Sequence, residues 1–217
     1  MRFYVFSFPM LLSALITYGQ ELISANLVLY QNNFEKAQAG KVPEDFMVLD
    51  GAFTVKEENG NKFLELPGAP LDSYGVLFGP NEASNITVSA RIFGSAQGRR
   101  FPTFAVGLNG VGGYKLQVAP GKRSLDLYKG EEVVASAPFA WEPDTWTMLD
   151  LQVRKANPGE WRIEGRAWKQ ESKPPEKWPI SFSEKVLPAP GRPSIWGAPI
   201  SGKPIRFHDL LVTRLKE

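Results

Sequence analysis

Two stretches of the chain carry hydrogen-bonding and flat side chains at every second position. Trp146 to Arg154 sets Met148, Asp150, Gln152 and Arg154 in one phase and Leu149, Leu151 and Val153 in the other. Trp161 to Trp168 sets Arg162, Glu164, Arg166 and Trp168 against Trp161, Ile163, Gly165 and Ala167. In extended backbone successive side chains point to opposite faces, so each polar set shares one side. Arg, Glu and Gln orient sugar hydroxyls through paired hydrogen bonds, and an indole offers a plane on which the C–H face of a sugar stacks. Gln152, Arg154, Glu164, Arg166 and Trp168 are therefore candidate carbohydrate contacts. Tyr128, beside Asp126 on a third strand, is a candidate to join them, and Trp178 is a candidate rim. The same pattern equally describes a solvated sheet face whose charges pair with each other, and both readings stand.

Other chemistry leaves fewer traces. The chain has no cysteine and one histidine, His208. Disulfides, thiolate nucleophiles and zinc sites built on Cys or several His are excluded. A G-x-S-x-G elbow is absent. Gly197 to Lys203 has P-loop spacing, but Pro204 stands where a Ser or Thr must hold magnesium. Retaining glycosidases need two carboxyl groups about 5–5.5 Å apart. On one strand these come as E-x-D-x-E or E-x-D-x-x-E. The one E-x-D is Glu142-Pro143-Asp144, a turn sequence with Thr147 where the last acid would stand. Acids drawn from separate strands remain open, and Glu164 and Asp150 are the candidates for general acid–base work.

In the last segment Ile205 and Phe207 keep one phase while Leu210 and Val212 keep the other. The slip predicts a β-bulge at His208-Asp209. If the first and last strands lie side by side, Glu35 approaches Asp209. Two carboxylates with backbone carbonyls suit a structural calcium, which takes about six to eight oxygens. Alternatively, Asp209 caps the bulge by accepting local N–H bonds.

The elements that must position these residues are strands. Phe53 to Lys56 and Lys62 to Leu66 flank an Asn59-Gly60 turn, a hairpin signal. Alternating or apolar runs recur over 85–93, 103–108, 114–118, 124–128, 132–135 and 205–214, with turn residues between them. No stretch after residue 25 carries an apolar stripe at helical spacing. Short strands at such intervals mean a sandwich or barrel. Lys169 to Pro179 holds Lys173-Pro174-Pro175-Glu176-Lys177-Trp178-Pro179 and reads as a surface loop. Lys and Arg total 25 against 23 Asp and Glu, which argues against a nucleic-acid backbone binder. At the N-terminus, Arg2, the apolar run Phe3 to Ile16 and Thr17-Tyr18-Gly19 have the order of a secretory signal. The expectation is a leader over 1–19, a single β-sandwich domain over 20–217 with no membrane span, and a secreted or periplasmic location.

The chain resembles the concanavalin A-like lectin/glucanase domains, in particular a bacterial secreted group related to 3-keto-disaccharide hydrolase and family 16 glycoside hydrolase domains. The resemblance covers roughly residues 26 to 215. It is carried by Asn33-Phe34-Glu35, Asp50-Gly51-Ala52-Phe53-Thr54-Val55, Tyr114-Lys115-Leu116 with Leu127-Tyr128-Lys129, Trp146 to Val153, and the closing run Gly202 to Val212. That run is similar to an apolar-x-Phe-Asp-Asp-Leu-x-Val strand, with His208 at the first acidic position. The resemblance implies an all-β, two-sheet antiparallel jelly roll, a carbohydrate partner and often a calcium near the joined termini. A non-catalytic binding module, a glycoside-processing hydrolase or lyase, and an envelope structural or protein-interaction domain all use such a fold.

Overall fold

The computed structural model describes residues 27–216; the expected leader, residues 1–19, lies outside them. The strands are β1 (Leu27–Asn32), β2 (Met47–Asp50), β3 (Thr54–Glu58), β4 (Asn61–Leu66), β5 (Tyr74–Leu77), β6 (Ile86–Gly94), β7 (Thr103–Leu108), β8 (Tyr114–Ala119), β9 (Ser124–Lys129), β10 (Glu132–Pro138), β11 (Thr145–Asn157), β12 (Glu160–Lys169), β13 (Ile180–Glu184), β14 (Ser194–Ala198) and β15 (Ile205–Arg214). One 3-10 turn, Pro120–Lys122, joins β8 to β9. Among the described residues no helix is long and apolar enough to cross a membrane.

The strands form a two-sheet antiparallel jelly-roll sandwich. The first sheet has the order β13-β12-β11-β6-β15-β4-β3, with β1 also on β15. The second has the order β10-β9-β8-β7-β14-β5-β2. The alternation of hydrophobic residues decides which faces meet. Leu149, Leu151, Val153 and Ile163 of the first sheet and Val106, Leu116, Leu127 and Ile195 of the second are fully buried between the sheets. Burying each such side chain contributes about 1.5–3 kcal/mol.

The Glu57-to-Asn61 hairpin turns on Asn59 and Gly60, both at positive φ (52° and 77°), as a two-residue primed turn requires. The predicted bulge is present. Pairing of β15 with β6 shifts between His208 and Leu211, and Asp209 has φ 48°. The bulge also divides β15 between two partners. Ile205–Phe207 pair with β4, and Leu210–Arg214 pair with β1. First and last strands thus lie side by side.

Candidate functional site

The structure gathers five of the proposed carbohydrate contacts on the outer face of the first sheet, with Trp178 above them. Gln152 and Glu164 are cross-strand partners, as are Asp150 and Arg166. These groups are turned toward each other. Glu164 accepts from Gln152 Nε2 (2.8 Å) and from Arg154 Nε (2.7 Å) and Nη2 (3.2 Å). Asp150 accepts from Ser89 Oγ (2.6 Å) and from Arg166 Nε (2.9 Å). Gln152, Glu164 and Asp150 are consequently buried although they stand on the outer face. Burial raises the Glu164 carboxyl, but the hydrogen bonds from Arg154 and Gln152 outweigh it and hold the group below its ordinary value. A general acid must keep its proton, so Glu164 is poorly suited to that role.

The two indoles of this cluster are engaged as well. The Arg166 guanidinium lies 5.2 Å from the Trp168 ring centre and 4.4 Å from that of Trp178. Its Nη1 donates to the Pro175 carbonyl (2.9 Å). Arg166 thus fastens the Pro-rich loop to the sheet through cation–π contacts on both sides. The charge-paired reading describes how these groups are engaged, and Gln152 and Arg154 also line a cleft of about 680 Å³.

Glu35 and Asp209 flank His208. His208 stands in the gap, with Nε2 4.0 Å from Glu35 Oε1 and Nδ1 2.8 Å from Asp209 Oδ1. Arg91 closes the other side. Its Nε is 2.8 Å from Asp209 Oδ2, within ion-pair range although the N–H is not aimed at the oxygen. Its Nη2 is 3.0 Å from His208 Nδ1. The His208 hydrogen bond, and then the charges beside it, outweigh burial and hold the Asp209 carboxyl below its usual range. Among the described residues no three His, Asp or Glu side chains converge as a metal cage would. The positive charge beside Asp209 is a guanidinium.

Tyr128 does not join the other candidates. It lies on the outer face of the second sheet, where a different group of residues meets. Strand register builds two adjacent rows there. One runs Gly75, Trp196, Ala105, Gln117, Asp126, Ser136, and the next runs Leu77, Ser194, Gly107, Lys115, Tyr128, Val133. The Trp196 indole spreads over Gly75, where a Cβ would stand 2.5 Å from ring atom Cε3. Its Nε1–H donates to Ser194 Oγ (2.8 Å). A Cβ on Gly107 would meet that hydroxyl at 2.3 Å. Two strand glycines therefore make room for one ring and its anchor. The Lys115 ammonium lies 4.9 Å from the Tyr128 ring centre and 5.4 Å from that of Trp196. Burial pulls the lysine below its usual range, with Glu131 opposing. Gln117 Nε2 lies 3.5 Å from the Tyr128 hydroxyl. Asp126, by contrast, is buried and accepts from Ser136 Oγ (2.6 Å).

Trp196 and Lys115 do not stand out in the sequence. The signal it does hold is the isolated glycines at 75 and 107 inside apolar runs, which mark close approach by something bulky.

No protein-family model matches the chain, and no curated protein matches it by sequence. Solved structures do match. A carbohydrate-binding module, CBM66 from Bacillus subtilis, superposes with TM-score 0.54 at 12% identity over 78% of this chain and 95% of the other. A Bacillus subtilis protein of unknown function with a galectin-like fold gives 0.59 at 11%, over 87% and 96%. The metal-free carbohydrate recognition domain of Emp46p gives 0.60 at 12%, over 88% and 97%. The fold is that of the galectin-like sandwiches. At these identities the likeness speaks for the architecture alone, and the faces of the sheets decide what can bind.

Proposed function

We propose that this domain binds carbohydrate through the outer face of its second sheet. The observation that carries the reading is the Trp196 indole laid over Gly75, beside the Tyr128 ring, with Lys115 and Gln117 at hand. A sugar needs an apolar plane for its C–H face and directional polar groups for its hydroxyls. Here the plane is held by backbone and a serine, so little ordering is required on binding. Two of the similar structures are themselves a carbohydrate-binding module and a carbohydrate recognition domain, which supports the same reading. So does the resemblance to the 3-keto-disaccharide hydrolase group. The leader pattern over 1–19 supports action outside the cytoplasm, in the periplasm or beyond.

Affinity electrophoresis against immobilised polysaccharides tests the proposal. Trp196→Ala should weaken retardation by about tenfold or more, the loss of one central anchor. A double variant Arg166→Ala, Trp168→Ala on the first sheet should bind as the parent does. Retained binding in Trp196→Ala, or loss in the double variant alone, would move the site to the first sheet.

A further inference from the structure

A cleft on the second sheet's outer face is lined by three cations and no carboxylate, and we infer that the ligand of this face is an acidic saccharide, one bearing carboxylate or sulfate groups. This rests on the reading just proposed and names the ligand class of the same face.

The contrast with the first sheet is direct. There the cations that face outward have carboxylates: Arg154 with Glu164, Arg166 with Asp150, Arg91 with Asp209, and Arg206 with Glu58. On the second sheet Lys115 forms no ion pair among the described residues, and its ammonium is set against two aromatic rings. Two residues along β8, Gln117 lines a cleft of about 310 Å³ together with Thr103 and Ala119. Arg99, Arg100 and Lys122 line it as well, and none of its lining residues is acidic. Arg100 donates to the neutral amide of Gln97 (3.3 Å). The one carboxylate in these rows, Asp126, is buried, held by Ser136, and 3.9 Å from Lys122.

Neutral sugars bring hydroxyls that both donate and accept. A site suited to them presents carboxylate or carbonyl acceptors along with its donors. The cleft lining offers Arg99, Arg100 and Lys122 as charged donors beside the Gln117 amide, with no carboxylate among them. It is matched to a ligand rich in anionic acceptors. Low-dielectric aromatic flanks strengthen attraction to Lys115 relative to a fully solvated lysine. The Trp196 plane meanwhile supplies the sugar contact that a bare anion lacks.

The test is calorimetric titration of the whole protein with oligogalacturonate, with its fully methyl-esterified form, with a sulfated oligosaccharide and with single-stranded DNA of equal charge. The acidic oligosaccharide should bind about tenfold or more tighter than the ester, with an advantage that shrinks as salt rises. The carboxylated and sulfated probes together tell which anion is preferred. Lys115→Met should erase the advantage of the acid over the ester, with an unchanged melting temperature as the control for folding. If the ester binds as tightly as the acid, or Lys115→Met keeps the preference, the charge inference fails while sugar binding stands. If no saccharide binds at all, both fail. Equal binding of DNA would overturn the assignment to a saccharide.

Discussion

Trp196 and Gly75 face each other across β14 and β5, and the indole fills the space that a side chain at 75 would need: a Cβ there would stand only 2.5 Å from Cε3. The aromatic plane is therefore held by an absence, and the neighbouring strand's sequence decides how the ring lies.

Gly75→Ala should lift the ring. The clash is with rigid indole atoms rather than with a flexible chain end, so relaxation is expensive. A stability loss of about 1–3 kcal/mol is expected from overpacking, together with weaker glycan binding. Urea unfolding and affinity electrophoresis on the same preparation check both. A variant that is unaffected in stability and affinity would mean that Gly75 does not set the ring.

The Arg166 clamp predicts a different phenotype. Trp178→Ala removes one of the two rings against the guanidinium, and Arg166→Met removes the bond to Pro175 as well. Either change should speed proteolytic nicking within 170–179 while leaving glycan affinity at the parent value. Mass spectrometry of the fragments places the cut. Cutting that is no faster than in the parent would show that the loop is fixed by something other than Arg166.

Much of the frame is readable from residue order. Alternation over 145–157 and 160–169 marks inner and outer faces because one side must leave water, and the phase slip at His208 marks the bulge because a strand cannot change faces otherwise. β5 and β14 leave no such mark. Gly75 and Gly197 sit inside them, and Pro193 and Pro199 bracket β14, so local propensity reads against strand. Their pairing with partners far along the chain supplies what propensity lacks. The candidate site is legible by residue type but not by engagement. Glu164 and Arg154 are the right groups to hold a sugar, yet each is the other's partner at 2.7 Å, and only register in space reveals that. Tyr128 faces outward as its strand's alternation requires, but on the other sheet, because sequence does not say which strands are neighbours.

The Glu164 network gives a pH dependence with a definite sign. Burial opposes ionisation, but the hydrogen bonds from Arg154 and Gln152 leave the folded-state carboxyl below its ordinary value. Such a group stabilises the fold fully above the usual carboxylate range, and that contribution disappears as pH falls through the folded value. Glu164→Gln should cost on the order of 1–3 kcal/mol at neutral pH, the scale of hydrogen bonds to a charged group. The gap between parent and variant should narrow steadily in acid. Denaturant titrations across the acidic range measure it, and a gap that widened on acidification would contradict the assignment.

The Arg91–Asp209 pair predicts indifference to calcium. A divalent ion at Asp209 would have to displace a guanidinium 2.8 Å away and then share the bulge with His208. The cost is a partly buried cation left without its carboxylate, while the backbone carbonyls of Glu35 and Ala37, on the far side of the imidazole, already accept from the Lys62 ammonium. A ligand present at tenfold its dissociation constant adds about 1.4 kcal/mol to folding, which for a domain of this size raises the melting temperature by roughly 3–6 °C. Millimolar calcium should produce no such rise, and chelation should produce no fall. A rise of that size, reversed by a chelator and missing in Asp209→Asn, would put a metal back at the bulge and require Arg91 to swing away from it.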